Sequence, residues 1–121
     1  MTQELNYQEM NSERLGDKAR KFADEKTGIK EVRKEMRRIE YNTLKQKIIS
    51  EAKQGNYLYE FADTAINGFI SEIHPIDERT VKVINSCLRR FAQKEHLELN
   101  IKKAEKSNNI HLLDYQFSWD Y

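Results

Sequence analysis

From Ile29 to Gln54 the chain contains neither glycine nor proline. It is filled with Lys, Glu, Arg and Gln, which lose little side-chain freedom on entering a helix. Gly55 follows, where helices commonly end in a left-handed residue. The run predicts one long helix over roughly residues 29 to 54. Its apolar residues do not make one stripe. Ile29, Val32, Met36 and Ile39 are separated by three, four and three positions, a seam of an amphipathic helix. Tyr41, Leu44, Ile48 and Ala52 form a second seam, and at about 100° per residue the two lie roughly 140° apart around the axis. A straight helix cannot lay both on one flat surface. Either the helix kinks near Tyr41 to Thr43, or its two halves pack on different partners. With no Pro or Gly to make a kink, the second solution is expected.

The residues before this helix are polar, with sparse anchors at Leu5, Met10, Leu15, Ala19 and Phe22. Leu15, Ala19 and Phe22 fall at helical spacing and predict a short helix that needs a surface to dock on, ended by Thr27 and Gly28. Beyond Gly55, the period-two aromatics Tyr57, Tyr59 and Phe61 predict a strand. Ala62, Ala65, Ile66, Phe69, Ile70 and Ile73 predict a short helix despite Gly68. His74 and Pro75 break the chain, and Asp77 suits the N-cap of the next helix. There Val81, Ile84, Leu88 and Phe91 form an apolar seam, with Cys87 and Ala92 beside it. Leu97, Leu99 and Ile101 then alternate with polar residues as a half-buried strand. Ser107, Asn108 and Asn109 can supply a turn. Leu113, Tyr115, Phe117, Trp119 and Tyr121 alternate along the last segment, which should pair with residues 97 to 102 as an antiparallel hairpin.

The expected fold class is therefore α+β: a long N-terminal helical region, then a small antiparallel three-stranded sheet packed on an amphipathic helix. Two parts are expected, a helical arm over residues 1 to 40 and a compact domain over 41 to 121. A domain of about 80 residues buries only about 60 to 65% of its unfolded surface, which makes assembly with a partner useful.

Charge and motif content exclude several function classes. The chain has 21 Lys plus Arg against 20 Asp plus Glu. Residues 1 to 54 hold 13 basic and 10 acidic side chains, and residues 55 to 121 hold 8 and 10. That asymmetry falls well short of a dedicated nucleic-acid binder. Lys26, Lys30, Arg33, Lys34 and Arg37 do form a basic stripe, which reads either as a solvated face or as a phosphate-contacting one. His74, His96 and His111 include no helical i, i+4 pair, so no metal site is expected. Cys87 lies in an apolar pattern without a second cysteine, and packs as a small hydrophobe. The four glycines are too dispersed for a phosphate-cradling loop, and nothing in the sequence calls for a cofactor. Asp77 and Glu78 suit the first turn of a helix. Tyr57, Tyr59 and Phe61 could stack bases, but no basic residue interleaves with them, so core or interface packing is favoured. No run of about 18 apolar residues exists, and the amino end lacks the pattern of a secretory signal, so neither membrane contact nor secretion is expected.

The run Lys47, Ile48, Ile49, Ser50, Glu51, Ala52, Lys53, Gln54, Gly55 leads into an aromatic strand. An amphipathic helix and a strand follow, and the terminal strand closes on Phe117, Ser118 and Trp119. Over residues 41 to 121 this succession resembles small tailed-bacteriophage proteins, which carry Gly and an aromatic where this chain has Lys94, Glu95 and His96. The resemblance implies a virion-associated protein with no catalytic residues, located in the virion or the host cytoplasm. The expectation is a non-enzymatic structural or assembly protein in an oligomer or particle. It would dock on a neighbouring subunit through Leu15, Phe22, Ile29, Val32, Met36 and Ile39, with Trp119 and Tyr121 against a neighbour. The alternatives are a small nucleic-acid-binding regulator using the basic stripe, or a phage inhibitor of a host enzyme.

Overall fold

A computed structural model describes residues 14–104 and 112–120. The chain is α+β. Helix α1 (Leu15–Thr27) ends at Gly28, whose φ of 81° is cheap only for glycine, and the same residue starts α2 (Ile29–Ile39). A π-helical turn, Glu40–Leu44, joins α2 to α3 (Lys45–Lys53). The end of α3 is closed as expected by Gly55, at φ 90°. Its N–H donates to the Ala52 carbonyl while that of Asn56 donates to the Glu51 carbonyl, a pair of bonds that satisfies the last turn.

The π turn resolves the two-seam problem. The Lys45 N–H donates to the Glu40 carbonyl, five residues back instead of four. One extra residue is thereby absorbed between Ile39 and Leu44, which an unbroken α-helix would hold roughly 140° apart. Ile29, Val32, Met36, Ile39, Leu44 and Ile48 become one continuous buried face. The expectation of two separate partners is corrected: a local change of pitch, needing neither Pro nor Gly, lays both seams on the same core. From the second seam only Leu44 and Ile48 are buried, while Tyr41 and Ala52 face solvent. The boundary expected between residues 40 and 41 falls inside this helix, and the core reaches back to Ile29.

Strand β1 (Leu58–Ala62) leads into α4 (Thr64–Ile70) and then α5 (Glu78–Lys94). The Asp77 carboxylate caps α5 by accepting the Thr80 N–H at 2.8 Å. Thr80, Val83, Ile84, Cys87, Leu88, Phe91 and Ala92 are the buried residues of α5. The face is thus rotated from the expected seam, and Val81 sits half-buried at its edge. His96, at φ 58°, closes α5 in the left-handed region usually held by glycine.

Strands β2 (Glu98–Lys103) and β3 (Leu113–Ser118) complete an antiparallel sheet of order β1-β3-β2. The pairing of β2 with β3 is the one the alternation predicted. In register, Tyr115 lies between Phe61 and Ile101, and Phe117 between Tyr59 and Leu99. This face packs on α5, with the Phe91 ring edge-on to Phe117 at 5.5 Å between centroids. The opposite face carries Glu60, Gln116 and Asn100. Trp119 packs half-buried against the core, and Tyr121 lies outside the described residues, as do Leu5, Met10, Ser107 to Asn109 and His111.

Candidate interaction surface

On a helical wheel at about 100° per residue, Leu15, Ala19 and Phe22 share one side of α1, and Asp24 stands roughly opposite them. Burial of the apolar side would be the ordinary outcome. The structure does the reverse. Asp24, 6% exposed, is the buried residue of α1. It accepts a 2.7 Å hydrogen bond from Nε of Arg33 on α2, with the two side chains 9% and 19% exposed. Leu15 and Phe22 consequently point outward, 62% and 64% exposed. Pairing with Arg33 offsets the cost, on the order of several kcal/mol, that burying the Asp24 charge alone would carry.

A second polar tie meets α1 at its end. His74, between α4 and α5, places Nε2 at 3.0 Å from the Thr27 carbonyl oxygen. Its ring lies against Gly28, where a Cβ would come within 3.2 Å of Cδ2. On the exposed side, Lys30 and Glu25 approach to 3.5 Å, a pair worth little in water.

The six expected docking residues therefore divide. Leu15 and Phe22 remain available, whereas Ile29, Val32, Met36 and Ile39 are corrected: they are buried in the chain's own core and present no surface. The basic stripe is corrected at one position, because Arg33 turns inward to Asp24; Lys26, Lys30, Lys34 and Arg37 stay exposed. Tyr59 and Phe61, both half-buried, stack on each other at 5.2 Å, and Phe61 stacks in turn on Tyr115, so both pack on the core as expected. Tyr57, ahead of β1, is exposed.

Elsewhere the titratable groups serve packing. The half-buried Glu40 carboxyl, in the π turn, is pushed by burial from its ordinary 4.5 up to about 7, against the opposing pull of Arg37, Lys94 and Arg90. Burial also raises the Cys87 thiol, which leaves it protonated and unreactive. The buried Tyr115 hydroxyl, raised above its ordinary value by burial, donates to Asn85 Oδ1 at 2.6 Å. Asp63 Oδ2 accepts the N–H groups of Leu112 and Leu113 at 3.1 and 3.0 Å, and so clamps the start of β3. Among the described residues no cluster of three His, Cys, Asp or Glu side chains is placed to hold a metal, and no helix is long and apolar enough to cross a membrane.

Sequence reasoning found the stripe on α1 but missed Asp24 and His74, whose partners lie across a turn and 47 positions away. In comparisons with known proteins, the chain matches no family model, no curated protein and no solved structure.

Proposed function

We propose that this protein is a non-enzymatic docking subunit, a minor structural or assembly component of a tailed-phage particle, that binds a neighbouring subunit through the outer side of α1. One observation carries the proposal: α1 is held on the body by charge while its apolar stripe faces outward. Leu15, Ala19 and Phe22, at i, i+4 and i+7, have the spacing of anchors on a helix laid into an apolar groove. The phage setting rests on the resemblance carried by Lys47 to Gly55 and Phe117 to Trp119. Nucleic-acid binding is the weaker reading, because Arg33 is spent on Asp24.

The test compares the full chain with a Leu15→Asp/Phe22→Asp variant as bait for purified particle proteins at one pH. The wild-type chain should retain a subunit that the variant loses by at least about tenfold, as for anchor residues at an interface. Circular dichroism should be unchanged. Equal retention by both chains overturns the proposal.

A further inference from the structure

The sheet ends on β2, and the parity of its residues fixes which backbone groups are spare. In an antiparallel pair the residues alternate: one bonds the neighbouring strand with both its N–H and C=O, and the next points both away. The Ala104 N–H donates to the Leu112 carbonyl at 2.9 Å, continuing the register that sets Lys103 opposite Leu113. Glu98, Asn100 and Lys102 therefore bond β3, while Leu99, Ile101 and Lys103 turn their N–H and C=O groups to the free edge. The Asp63 N–H, given to the Leu113 carbonyl at 3.0 Å, fixes the same parity from the β1 side. With the order β1-β3-β2, no further strand covers that edge, and among the described residues no turn or loop bonds these three. Open edges are commonly guarded by charge, above all by lysine. Here Lys102 has a counterpart: Glu98 lies four residues away on the same face of the strand. Among the described residues neither side chain has an ion-pair partner, and Glu98 takes a long 3.5 Å contact from the Ser118 hydroxyl.

We propose that a second copy of this chain pairs with β2 along its free edge, antiparallel and around a two-fold axis at Asn100, joining the two three-stranded sheets into one. Spare groups must meet spare groups. Leu99 then lies opposite the partner's Ile101, and Ile101 opposite the partner's Leu99, each bonding through both N–H and C=O. Both residues are half-buried against the core, so the two cores lie on the same side of the joined sheet. On the solvent face this register sets Glu98 opposite the partner's Lys102, Lys102 opposite the partner's Glu98, and Asn100 opposite itself. These are the non-hydrogen-bonded positions, where facing side chains come closest. Charge selects the register. A slip of two residues sets Asn100 opposite Lys102 or Glu98, and a slip of four sets Lys102 on Lys102 or Glu98 on Glu98. The β1 edge, by contrast, rejects its own copy. Its spare groups belong to Leu58, Glu60 and Ala62, and pairing centred on that strand would set Glu60 against Glu60. Because a two-fold contact uses the same edge on both copies, assembly through β2 stops at two. The contact involves no residue of α1.

Sedimentation of the full chain alone, from about 1 μM to about 1 mM, should show its mass rise from one copy toward two and no further. Over the same range the amides of Leu99 and Ile101 should gain protection from hydrogen exchange, while those of Asn100 and Lys102, bonded to β3 in either state, change little. Glu98→Lys and Lys102→Glu each set like charges opposite one another at both ends of the contact, and each should weaken self-association about tenfold. Mixing the two variants should restore it, because each supplies the charge the other lacks, and recovery on mixing needs both chains folded. The doubly exchanged Glu98→Lys/Lys102→Glu chain should pair as the wild type does. A chain that stays single throughout, growth beyond two copies, a pair in which Leu99 and Ile101 gain no protection, or variants that do not recover on mixing overturns the proposal. Since no other protein is present, failure here leaves docking through α1 standing, and failure of the bait experiment leaves the β2 contact standing.

Discussion

Two faces of one helical stretch are built on opposite principles. From Ile29 to Ile48 the chain buries six apolar residues against α4, α5 and the sheet, and charge stays largely at the rim. Just before Gly28, α1 sends a carboxylate inward and its Leu and Phe outward. Apolar burial is nondirectional and additive, so it makes a body that unfolds as a unit. Two polar ties are directional and few, so they hold α1 in one pose while leaving little to keep it there once a tie is lost. The molecule thus has a body held by apolar packing and a helix held on it by polar ties.

The sharpest way to break this contrast is to change helix length. Deleting the exposed Lys34 rotates Ile29 and Val32 by roughly 100° relative to Met36 and Ile39. Removing two such residues from the core should cost about 3 to 6 kcal/mol in denaturant unfolding. Deleting the exposed Asn42 should cost far less, under about 1.5 kcal/mol, because it takes out the residue the π turn absorbs and leaves Ile39 and the next Leu four apart. Equal losses from the two deletions would refute the phase argument. Arg33→Ala comes next. It leaves Asp24 buried and unpaired, worth about 3 kcal/mol if α1 stayed docked. Undocking caps that loss, so exchange protection should collapse in α1 while the body melts within about 1 kcal/mol of the wild type.

Glu40→Gln is a smaller effect with a definite sign. A carboxyl at 4.5 when unfolded and about 7 when folded takes up a proton on folding. Stability from this group therefore falls as pH rises from 4.5 to about 7 and is flat above. Glu40→Gln should remove that fall and gain about 1 kcal/mol or less at pH 8, solvent screening of the half-buried group included. Unfolding titrations over this range measure it. Least of all, Leu15→Ser/Phe22→Ser should shift stability by under about 0.5 kcal/mol, since neither side chain is buried. A larger loss in thermal melts would show that α1 leans on its stripe after all.

Much of the fold was legible in residue order. Asp77 as a cap, Gly55 as a stop, α5, and the pairing of β2 with β3 all follow from side-chain periods and backbone freedoms that act within a few residues. The phase break at residues 39 to 44 was legible too, as two seams that disagree. Its resolution was not, because a π turn is made by backbone hydrogen bonds any sequence can form. The site was half legible: Leu15, Ala19 and Phe22 announce a stripe, yet nothing in their spacing tells whether it turns in or out.

By itself the sequence determined the class, the helices and strands, and the apolar residues available to a core, since these rest on local propensity and on periodicity. Only the tertiary structure decided that both seams share one core, that Arg33 leaves the basic stripe for Asp24, and that His74 closes on Thr27. Those outcomes depend on which distant groups meet, and desolvation weighs a buried charge or an unmatched carbonyl only once the chain has brought its partner within about 3 Å.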